Sequence, residues 1–362
     1  MLEVQLLISL LRSFAGDSLN SHAPELDHDT CKRHSRTPSI TNMASPNSHP
    51  GSLHLVAPNV SAFEPSKPLT SNQKTNTLIW IGGLSDSYSS VAYPYVLAQS
   101  LGPTWSLVIA ALSSTGNSWG TSSIARDAEE IAKIVAYMKE RRPSGKVVIM
   151  GHSTGCQDCM QYLVGAGADT RHHVDGAVLQ APVSDREAIE AELPKSYVHE
   201  ANQMALKLCR EKKDKEIMPN RLTSPLFGRT AVTARRWVDI ASPGPDHRGA
   251  DDFFSSDFDV NRIKESFGKL PAKTPVLILF SGSEENVSSD LDKEALVKKW
   301  ADVTKEAGAN IDEKNGGVVP GASHNLNGNP DSAVQDLVQR VLGFVSRLDK
   351  DEFGQSTAGP RI

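Results

Sequence analysis

The sequence has few cysteines, few aromatic residues and no long apolar run, and each shortage excludes a class of protein. Its four cysteines, Cys31, Cys156, Cys159 and Cys209, are too few for a disulfide framework in 362 residues. No run of 18 apolar residues occurs, so no segment is predicted to span a membrane. The 38 basic and 43 acidic residues form no block of one sign, which argues against a nucleic-acid surface or a polybasic membrane patch.

Motifs that bind phosphate, zinc or calcium are also missing. No G-x-x-x-x-G-K-[ST] loop is present. Cys156 and Cys159 form C-x-x-C, but a second cysteine pair for zinc is absent, and we expect both to pack inside a helix. The aspartates of 251–252 and 257–259 lack the EF-hand spacing and are interpreted as part of a loop. We therefore predict neither a metal ion nor an organic cofactor.

The first 50 residues are predicted to be an extension that forms no folded structure. Val4–Leu11 is apolar, but no basic n-region or cleavage site frames it, so a secretory signal is disfavoured and a cytoplasmic protein is expected. Residues 1–50 are predicted to be disordered, with Met43 as an alternative start. Leu53–Ala57 is predicted as a strand, followed by turns up to residue 76.

Strands and helices then alternate, which predicts an α/β fold with a mostly parallel, doubly wound sheet. The predicted strands are Thr77–Ile81, Trp105–Ala111, Val147–Met150, Val174–Gln180 and Val276–Ser281. The last helix is predicted to begin at Ser332, with Gln335 completing a capping box. A flexible tail is expected over residues 349–362.

The alternation stops between Pro182 and Pro275, where helical patterns replace it. Ser184 and Glu187 predict a capping box at the start of this segment. We interpret residues 183–274 as a cap insertion over the carboxyl ends of the strands, where open α/β sheets bind ligands. The core would then comprise residues 51–182 and 275–348.

The stretch Val147–Asp158, reading VVIMGHSTGCQD, carries the strongest functional signal. Its G-x-S-x-G lies between a predicted strand and a predicted helix, the context of a nucleophile elbow. The sharp turn strains the backbone at Ser153 and brings neighbouring backbone close, so the two flanking glycines must lack a Cβ atom. Ser153 is the predicted nucleophile.

A serine nucleophile needs a base, and the base needs an acid to orient it. In folds with such a turn the three residues follow one another in the order serine, acid, histidine. The acid is therefore expected directly after the strand that follows the insertion, where both Glu284 and Glu285 lie. Glu284 fits the usual spacing better, and Glu285 is the alternative. His324 precedes the last helix and is the predicted base. His152, the second residue of the turn, is expected to face away from that base.

The negative charge that develops on a substrate carbonyl oxygen needs preorganised donors. The backbone N–H of Thr154, next after the nucleophile, is the first predicted donor. The second is predicted from the loop after Thr77–Ile81, where Gly82 and Gly83 permit close backbone approach, with Leu84 or Gly83 donating.

These residues also carry a family resemblance. The stretches IGGLSDS, GHSTGCQD, VLQAPVSDREA, DDFFSSDF, FSGSEENV and PGASHNL resemble the fungal DUF1749 (UPF0613) branch of the α/β-hydrolases, over about residues 52–348. The resemblance implies an α/β-hydrolase fold, Ser153 as nucleophile and His324 as base. It further implies an intracellular esterase that opens fusarinine-type hydroxamate siderophores and so releases iron.

The expected function is a serine hydrolase that cleaves carboxylic esters of small molecules. Two alternatives remain open at this point. One is a general carboxylesterase, lipase-like enzyme or thioesterase, and the other is a hydrolase-fold protein that binds a ligand without turning it over. No nucleic-acid or membrane partner is expected, and the sequence leaves the oligomeric state open.

Overall fold

The computed structural model describes residues 48–66 and 75–354, which contain one eight-stranded sheet. Its strands lie in the order β1-β2-β4-β3-β5-β6-β7-β8. β1 pairs with β2 and β2 with β4 in antiparallel fashion, and the remaining pairs are parallel, which confirms the predicted mostly parallel sheet. The strands are β1 Gly51–Ala57, β2 Val60–Pro65, β3 Asn76–Ile81, β4 Trp105–Ala111, β5 Val147–His152, β6 Gly176–Gln180, β7 Val276–Ser281 and β8 Gly317–Val319.

Helices cover both faces of this sheet. Along β3, Leu78 and Trp80 contact the cluster beneath α1 and α10, whereas Ile79 and Ile81 contact the cluster beneath α2, α3 and α9. Alternate side chains of a strand point to opposite faces, so an uninterrupted apolar run is what a sheet buried on both sides requires. The helices are α1 Tyr93–Ser100, α2 Ile124–Arg141, α3 Thr154–Val164, α4 Asp185–Glu192, α5 Lys195–Arg210, α6 Asn220–Phe227, α7 Ala234–Ala241, α8 Val260–Lys264, α9 Lys293–Glu306 and α10 Asp331–Asp349.

Neither β2 nor the three-residue β8 is among the strands predicted above. The stretch interpreted as turns contains β2, whose Val60, Ala62 and Glu64 face inward. The inward glutamate interrupts the apolar alternation that marks a strand. It is tolerated because Arg142 Nη2 donates to both Glu64 carboxylate oxygens, at 2.9 and 2.8 Å, and His54 Nε2 lies 3.1 Å away.

Two predicted capping boxes turn out differently. Ser184 does cap α4, accepting a hydrogen bond from the Glu187 N–H at 3.2 Å, but the Glu187 carboxylate accepts from the Ser256 N–H and hydroxyl instead of reaching back. The predicted box of Ser332 and Gln335 is wrong. Helix α10 begins one residue earlier, at Asp331, and its N-cap position is Pro330, which has no side-chain acceptor.

Residues 183–274 contain helices α4–α8 and contribute no strand to the sheet. The apolar side chains of helices α4–α7, among them Ile189, Val198 and Trp237, form a separate cluster that also includes Trp119 from the core segment. The later part of the segment packs elsewhere, since Phe254 and Phe267 belong to the cluster beneath α2, α3 and α9. We continue to interpret this segment as a cap.

Asp251 and Asp252, which the sequence singled out, pair with arginines. Both Asp251 carboxylate oxygens lie 2.7 Å from Arg236 Nη1, and Asp252 Oδ2 lies 3.3 Å from Arg186 Nε. Across residues 48–66 and 75–354, no three His, Cys, Asp or Glu side chains form a group that could hold a metal ion. Each of these carboxylates therefore neutralises a buried guanidinium group of the cap.

Both predicted terminal segments lie partly outside the described residues. Of residues 1–50 the structure describes only 48–50, where the His49 ring stacks on Tyr95 with centroids 3.9 Å apart. Of residues 349–362 it describes 349–354, and Trp105 Nε1 donates to Asp349 Oδ2 at 2.9 Å. In the described part of the chain, no helix is long and apolar enough to cross a membrane.

We predict that Arg142→Met lowers the free energy of unfolding by about 3 kcal/mol, because it removes the guanidinium that donates to both oxygens of the buried Glu64 carboxylate. Arg142 Nη1 also donates to Thr77 Oγ1 at 2.6 Å and Ser106 Oγ at 2.7 Å, and those contacts are lost too. Urea unfolding measures the change. The matched control is the exposed neighbour Arg141→Met, which should stay within about 0.5 kcal/mol of the unmodified chain. Equal effects of the two substitutions would contradict the prediction.

Candidate active site

Ser153 occupies a sharp turn between strand β5 and helix α3. Its backbone has φ 53° and ψ −127°, a conformation that residues other than glycine rarely adopt. A Cβ atom on Gly151 would lie 2.2 Å from the Gly155 carbonyl oxygen, and one on Gly155 would lie 2.3 Å from that of Ile81. Only glycine therefore fits at the two flanking positions. The turn places Ser153 at the N-terminus of α3, where the helix dipole favours negative charge.

The structure brings three of the predicted residues into a hydrogen-bonded chain. His324 Nε2 lies 2.8 Å from Ser153 Oγ, and His324 Nδ1 lies 2.9 Å from Glu284 Oε2. The Glu284 side chain is fully buried, whereas Glu285 is exposed and its carboxylate accepts the backbone N–H of His324 at 2.9 Å. Both candidate acids thus contact His324, but only Glu284 reaches the imidazole.

Two loops hold this pair in place. Glu284 follows β7, and its Oε1 accepts from both the backbone N–H and the side-chain amide of Asn286, at 3.1 and 2.9 Å. His324 follows β8, and the loop around it is tied to the acid loop by a hydrogen bond from the Ser283 N–H to the Ala322 carbonyl oxygen at 2.8 Å. Neighbouring parallel strands therefore deliver the acid and the imidazole to the same edge of the sheet.

The electrostatics of the pair favour an imidazole that can accept a proton. Burial by itself would lower the pKa of His324, but the hydrogen bond and charge of Glu284 outweigh it and hold the pKa above its ordinary value. Burial would likewise raise the pKa of Glu284, yet the hydrogen bond to His324 keeps it below its ordinary value. Glu284 is thus ionised and stabilises the protonated imidazole.

The loop after β3 lies directly against the nucleophile. A Cβ atom on Gly83 would be 2.6 Å from Ser153 Cβ, so glycine is required there by the close approach. The Gly83 N–H donates to Asp86 Oδ2 at 2.7 Å, so this N–H already has a partner within the loop. Of the two donors that the sequence left open, the Gly83 N–H is therefore already used, which makes the Leu84 N–H the one we carry into the proposed mechanism together with that of Thr154.

The prediction that His152 faces away from His324 is wrong. Their ring centroids are 5.0 Å apart, and His152 is buried against Trp80. Burial, followed by the neighbouring His324, lowers the pKa of His152 to about 4, so this imidazole stays neutral. Its Nδ1 lies 2.6 Å from Gln180 Oε1, and Gln180 Nε2 donates to the His324 carbonyl oxygen at 3.3 Å.

Sequence reasoning did not single out Gln180. This residue ends strand β6 and accepts a further hydrogen bond from the Tyr93 hydroxyl at 3.0 Å. The available signal was a polar residue at the end of an otherwise apolar strand, next to the predicted site. Gln180 joins the buried His152 to the backbone of the loop that carries His324.

The two cysteines of the C-x-x-C pair lie in α3 behind the turn, as predicted. Cys156 and Cys159 are fully buried, and burial raises the pKa of each thiol well above its ordinary value. They are therefore protonated and pack as small apolar side chains.

Known proteins resemble this chain along most of its length. The family model described as "Protein of unknown function (DUF1749)" matches residues 43–346. The fusarinine C esterase sidJ of Aspergillus fumigatus is 33% identical over 344 residues, covering 83% of this chain and 97% of the relative.

Solved structures agree with the observed fold. The siderophore hydrolase EstB from Aspergillus fumigatus matches with a TM-score of 0.73 and 34% identity, over 84% of this chain and 99% of the other. A protein of unknown function with the α/β-hydrolase fold matches with a TM-score of 0.58 and 17% identity, over 86% of this chain and 99% of the other, and this likeness concerns the fold alone. The predicted α/β-hydrolase fold is confirmed.

We predict that Glu284→Gln lowers the pKa of His324, because it removes the negative charge that contacts the imidazole. Glu285→Gln should lower it less, since Glu285 is exposed and contacts only the backbone of His324. Titration of the imidazole by NMR measures both shifts, and Glu285→Gln serves as the matched control. A larger shift in the Glu285 variant would assign the acid to Glu285.

Proposed function

This chain belongs to the DUF1749 family and is a carboxylic ester hydrolase, and we propose that it opens the ester bonds of fusarinine-type hydroxamate siderophores. The observation that carries the proposed site is the chain of hydrogen bonds from Ser153 through His324 to Glu284, at 2.8 and 2.9 Å. A nucleophile, a base and an orienting acid within hydrogen-bond reach are what acyl transfer requires.

The proposed mechanism assigns one role to each group. Ser153 Oγ attacks the ester carbonyl carbon while His324 Nε2 takes the hydroxyl proton, and Glu284 holds the imidazole by its Nδ1–H. The N–H groups of Thr154 and Leu84 stabilise the oxyanion. His324 then gives its proton to the leaving alkoxide, which leaves an ester between Ser153 and the acyl group.

Water completes the cycle. His324 takes a proton from the attacking water molecule, and the oxyanion forms again on the same two N–H groups. When the serine ester breaks and releases the acid, His324 returns that proton to Ser153 Oγ. No redox step is involved. In the proposed reaction iron arrives as part of the substrate and is not a group held by the protein.

The siderophore part of the proposal is supported by two relatives of about one-third identity, one named for fusarinine C and one for siderophores. Opening the ester bonds of an iron-loaded siderophore divides a multidentate ligand into pieces that hold the metal less tightly. Inside the cell this reaction would release iron, and a cytoplasmic location remains part of the prediction.

We predict that the purified chain opens ferric fusarinine C, with each cleavage adding one water molecule to the mass of the product. Ser153→Ala should reduce the rate by at least about a thousandfold, because the nucleophile is lost. Thermal unfolding of this variant should change little, since alanine has the same backbone requirements as serine at this turn. Mass spectrometry follows the reaction.

A short-chain aryl ester, run in parallel, separates the remaining interpretations. Turnover of the aryl ester alone would support the mechanism but not the siderophore substrate. The chain would then be a general carboxylesterase, lipase-like enzyme or thioesterase. If neither substrate is hydrolysed, a ligand-binding protein without catalytic activity would be favoured. Full activity of the Ser153 variant would contradict the assigned nucleophile.

We also predict that kcat/KM for the aryl ester rises with pH as His324 loses its proton. Because Glu284 holds the pKa of His324 above its ordinary value, the acid limb should lie at higher pH than for a free imidazole. In Glu284→Gln the limb should move to lower pH while the rate at its plateau falls. If the acid limb does not move in that variant, Glu284 is not the group that raises the pKa of His324.

A further inference from the structure

Gln180 has no role in the proposed mechanism, yet every polar atom of its side chain has a partner. The residue ends strand β6 and is 1% exposed. Its amide oxygen Oε1 lies 3.0 Å from the Tyr93 hydroxyl and 2.6 Å from His152 Nδ1. Its amide nitrogen Nε2 donates to Ser281 Oγ at 3.5 Å and to the His324 carbonyl oxygen at 3.3 Å. An amide offers two acceptor sites and two donors, so all four are used.

The main chain of Gln180 binds the nucleophile directly. Its carbonyl oxygen accepts the backbone N–H of Ser153 at 3.1 Å. The next residue, Ala181, is buried with φ 50°, in the left-handed region that favours glycine, so the surrounding contacts hold the chain in place at the end of β6. One residue thus joins the backbone of Ser153 to the backbone of His324, the two residues whose side chains must exchange a proton.

The direction of the Gln180 amide follows from a donor at the far end of this network. The Trp80 indole can only donate, and its Nε1–H donates to the Tyr93 hydroxyl oxygen at 2.9 Å. The one proton of that hydroxyl is therefore left for Gln180 Oε1. With Oε1 placed there, Nε2 faces the His324 carbonyl oxygen. The reverse orientation would bring two oxygens together and remove this donor from the carbonyl.

The same amide determines which nitrogen of His152 carries the proton. Gln180 Oε1 can only accept, so His152 Nδ1 must donate. Burial, followed by the charge of His324, lowers the pKa of His152 to about 4, so its imidazole carries one proton and Nε2 has none. Nε2 lies 3.7 Å from Asp86 Oδ2, beyond hydrogen-bond distance, so the shorter contact with Gln180 decides the tautomer.

We propose that Gln180 is a positioning residue for the ester hydrolase: by binding both backbones it sets the separation of Ser153 Oγ and His324 Nε2, and the Tyr93 hydroxyl keeps its amide in the required direction. The inference rests on the proposed function and deepens it, because it identifies what aligns the two groups that exchange a proton. Such a transfer requires about 2.6–3.2 Å between the heavy atoms, and a misplacement of about 1 Å can cost a hundredfold in rate. The observed separation is 2.8 Å.

The first test compares kcat and KM of Gln180→Met for the short-chain aryl ester with those of the unmodified chain. Methionine is of similar length but carries no amide, so the packing is retained while the donor to His324 is lost. We expect kcat to fall at least about tenfold, with KM within about twofold, because proton transfer is impaired and substrate binding is not. An unchanged kcat, or a loss confined to KM, would overturn the proposal.

Two further variants separate positioning from a loss of stability. Tyr93→Phe removes only the hydroxyl that orients the amide, so kcat should fall by a smaller factor, about threefold. The control is Thr304→Val on α9, which also removes a buried hydroxyl, one that donates to the Trp300 carbonyl oxygen at 2.9 Å. It should keep the kcat of the unmodified chain at a temperature where all the variants are folded. An unchanged kcat in Tyr93→Phe, or a loss in Thr304→Val equal to that in Gln180→Met, would overturn the proposal.

A measurement without turnover reports on the same contacts. Nitrogen NMR of isotope-labelled protein distinguishes the two imidazole tautomers, and comparison with His152→Asn identifies the His152 signals. The unmodified chain should show a protonated Nδ1 and an unprotonated Nε2. In Gln180→Met the proton should move to Nε2, toward the Asp86 carboxylate.

A proton on His152 Nε2 in the unmodified chain, or no change of tautomer in Gln180→Met, would overturn the proposal. Because this measurement needs no ester cleavage, failure of the unmodified chain to hydrolyse the aryl ester would count against the proposed function alone.

Discussion

The close approach of three backbone segments around Ser153 is the constraint on which the site depends. Strand β5, the start of α3 and the end of β3 meet so tightly that a Cβ atom at Gly83, Gly151 or Gly155 would lie 2.6 Å or less from a neighbouring atom. This crowding forces Ser153 into its strained backbone conformation and presents its hydroxyl at the edge of the sheet.

The remaining machinery is delivered to that point by sheet topology. Because β7 and β8 are parallel neighbours, the loops that follow them end at the same edge, and hydrogen bonds between these loops fix the separation of Glu284 and His324. Gln180, at the end of β6, donates a further hydrogen bond to the backbone carbonyl oxygen of His324. The strand order thus converts residues far apart in the chain into one hydrogen-bonded unit.

The cap contributes chemistry that the core lacks. Arg236 of α7 lines a cavity together with Gly83, Leu84 and Thr154 of the core segment, and Asp251 accepts from its Nη1.

The sequence by itself determined the features that depend on near neighbours: the alternating strands and helices, the turn at Ser153 and the buried cysteines of α3. Local steric and periodic patterns suffice for these. Only the tertiary structure decided that Glu284 rather than Glu285 reaches the imidazole, that the Gly83 N–H is engaged by Asp86, and that Glu64 lies inward on a strand. Each of these depends on a partner distant in the chain or on the exact direction of a side chain in a loop. A residue pattern does not encode such contacts, because the chain must first fold to create them.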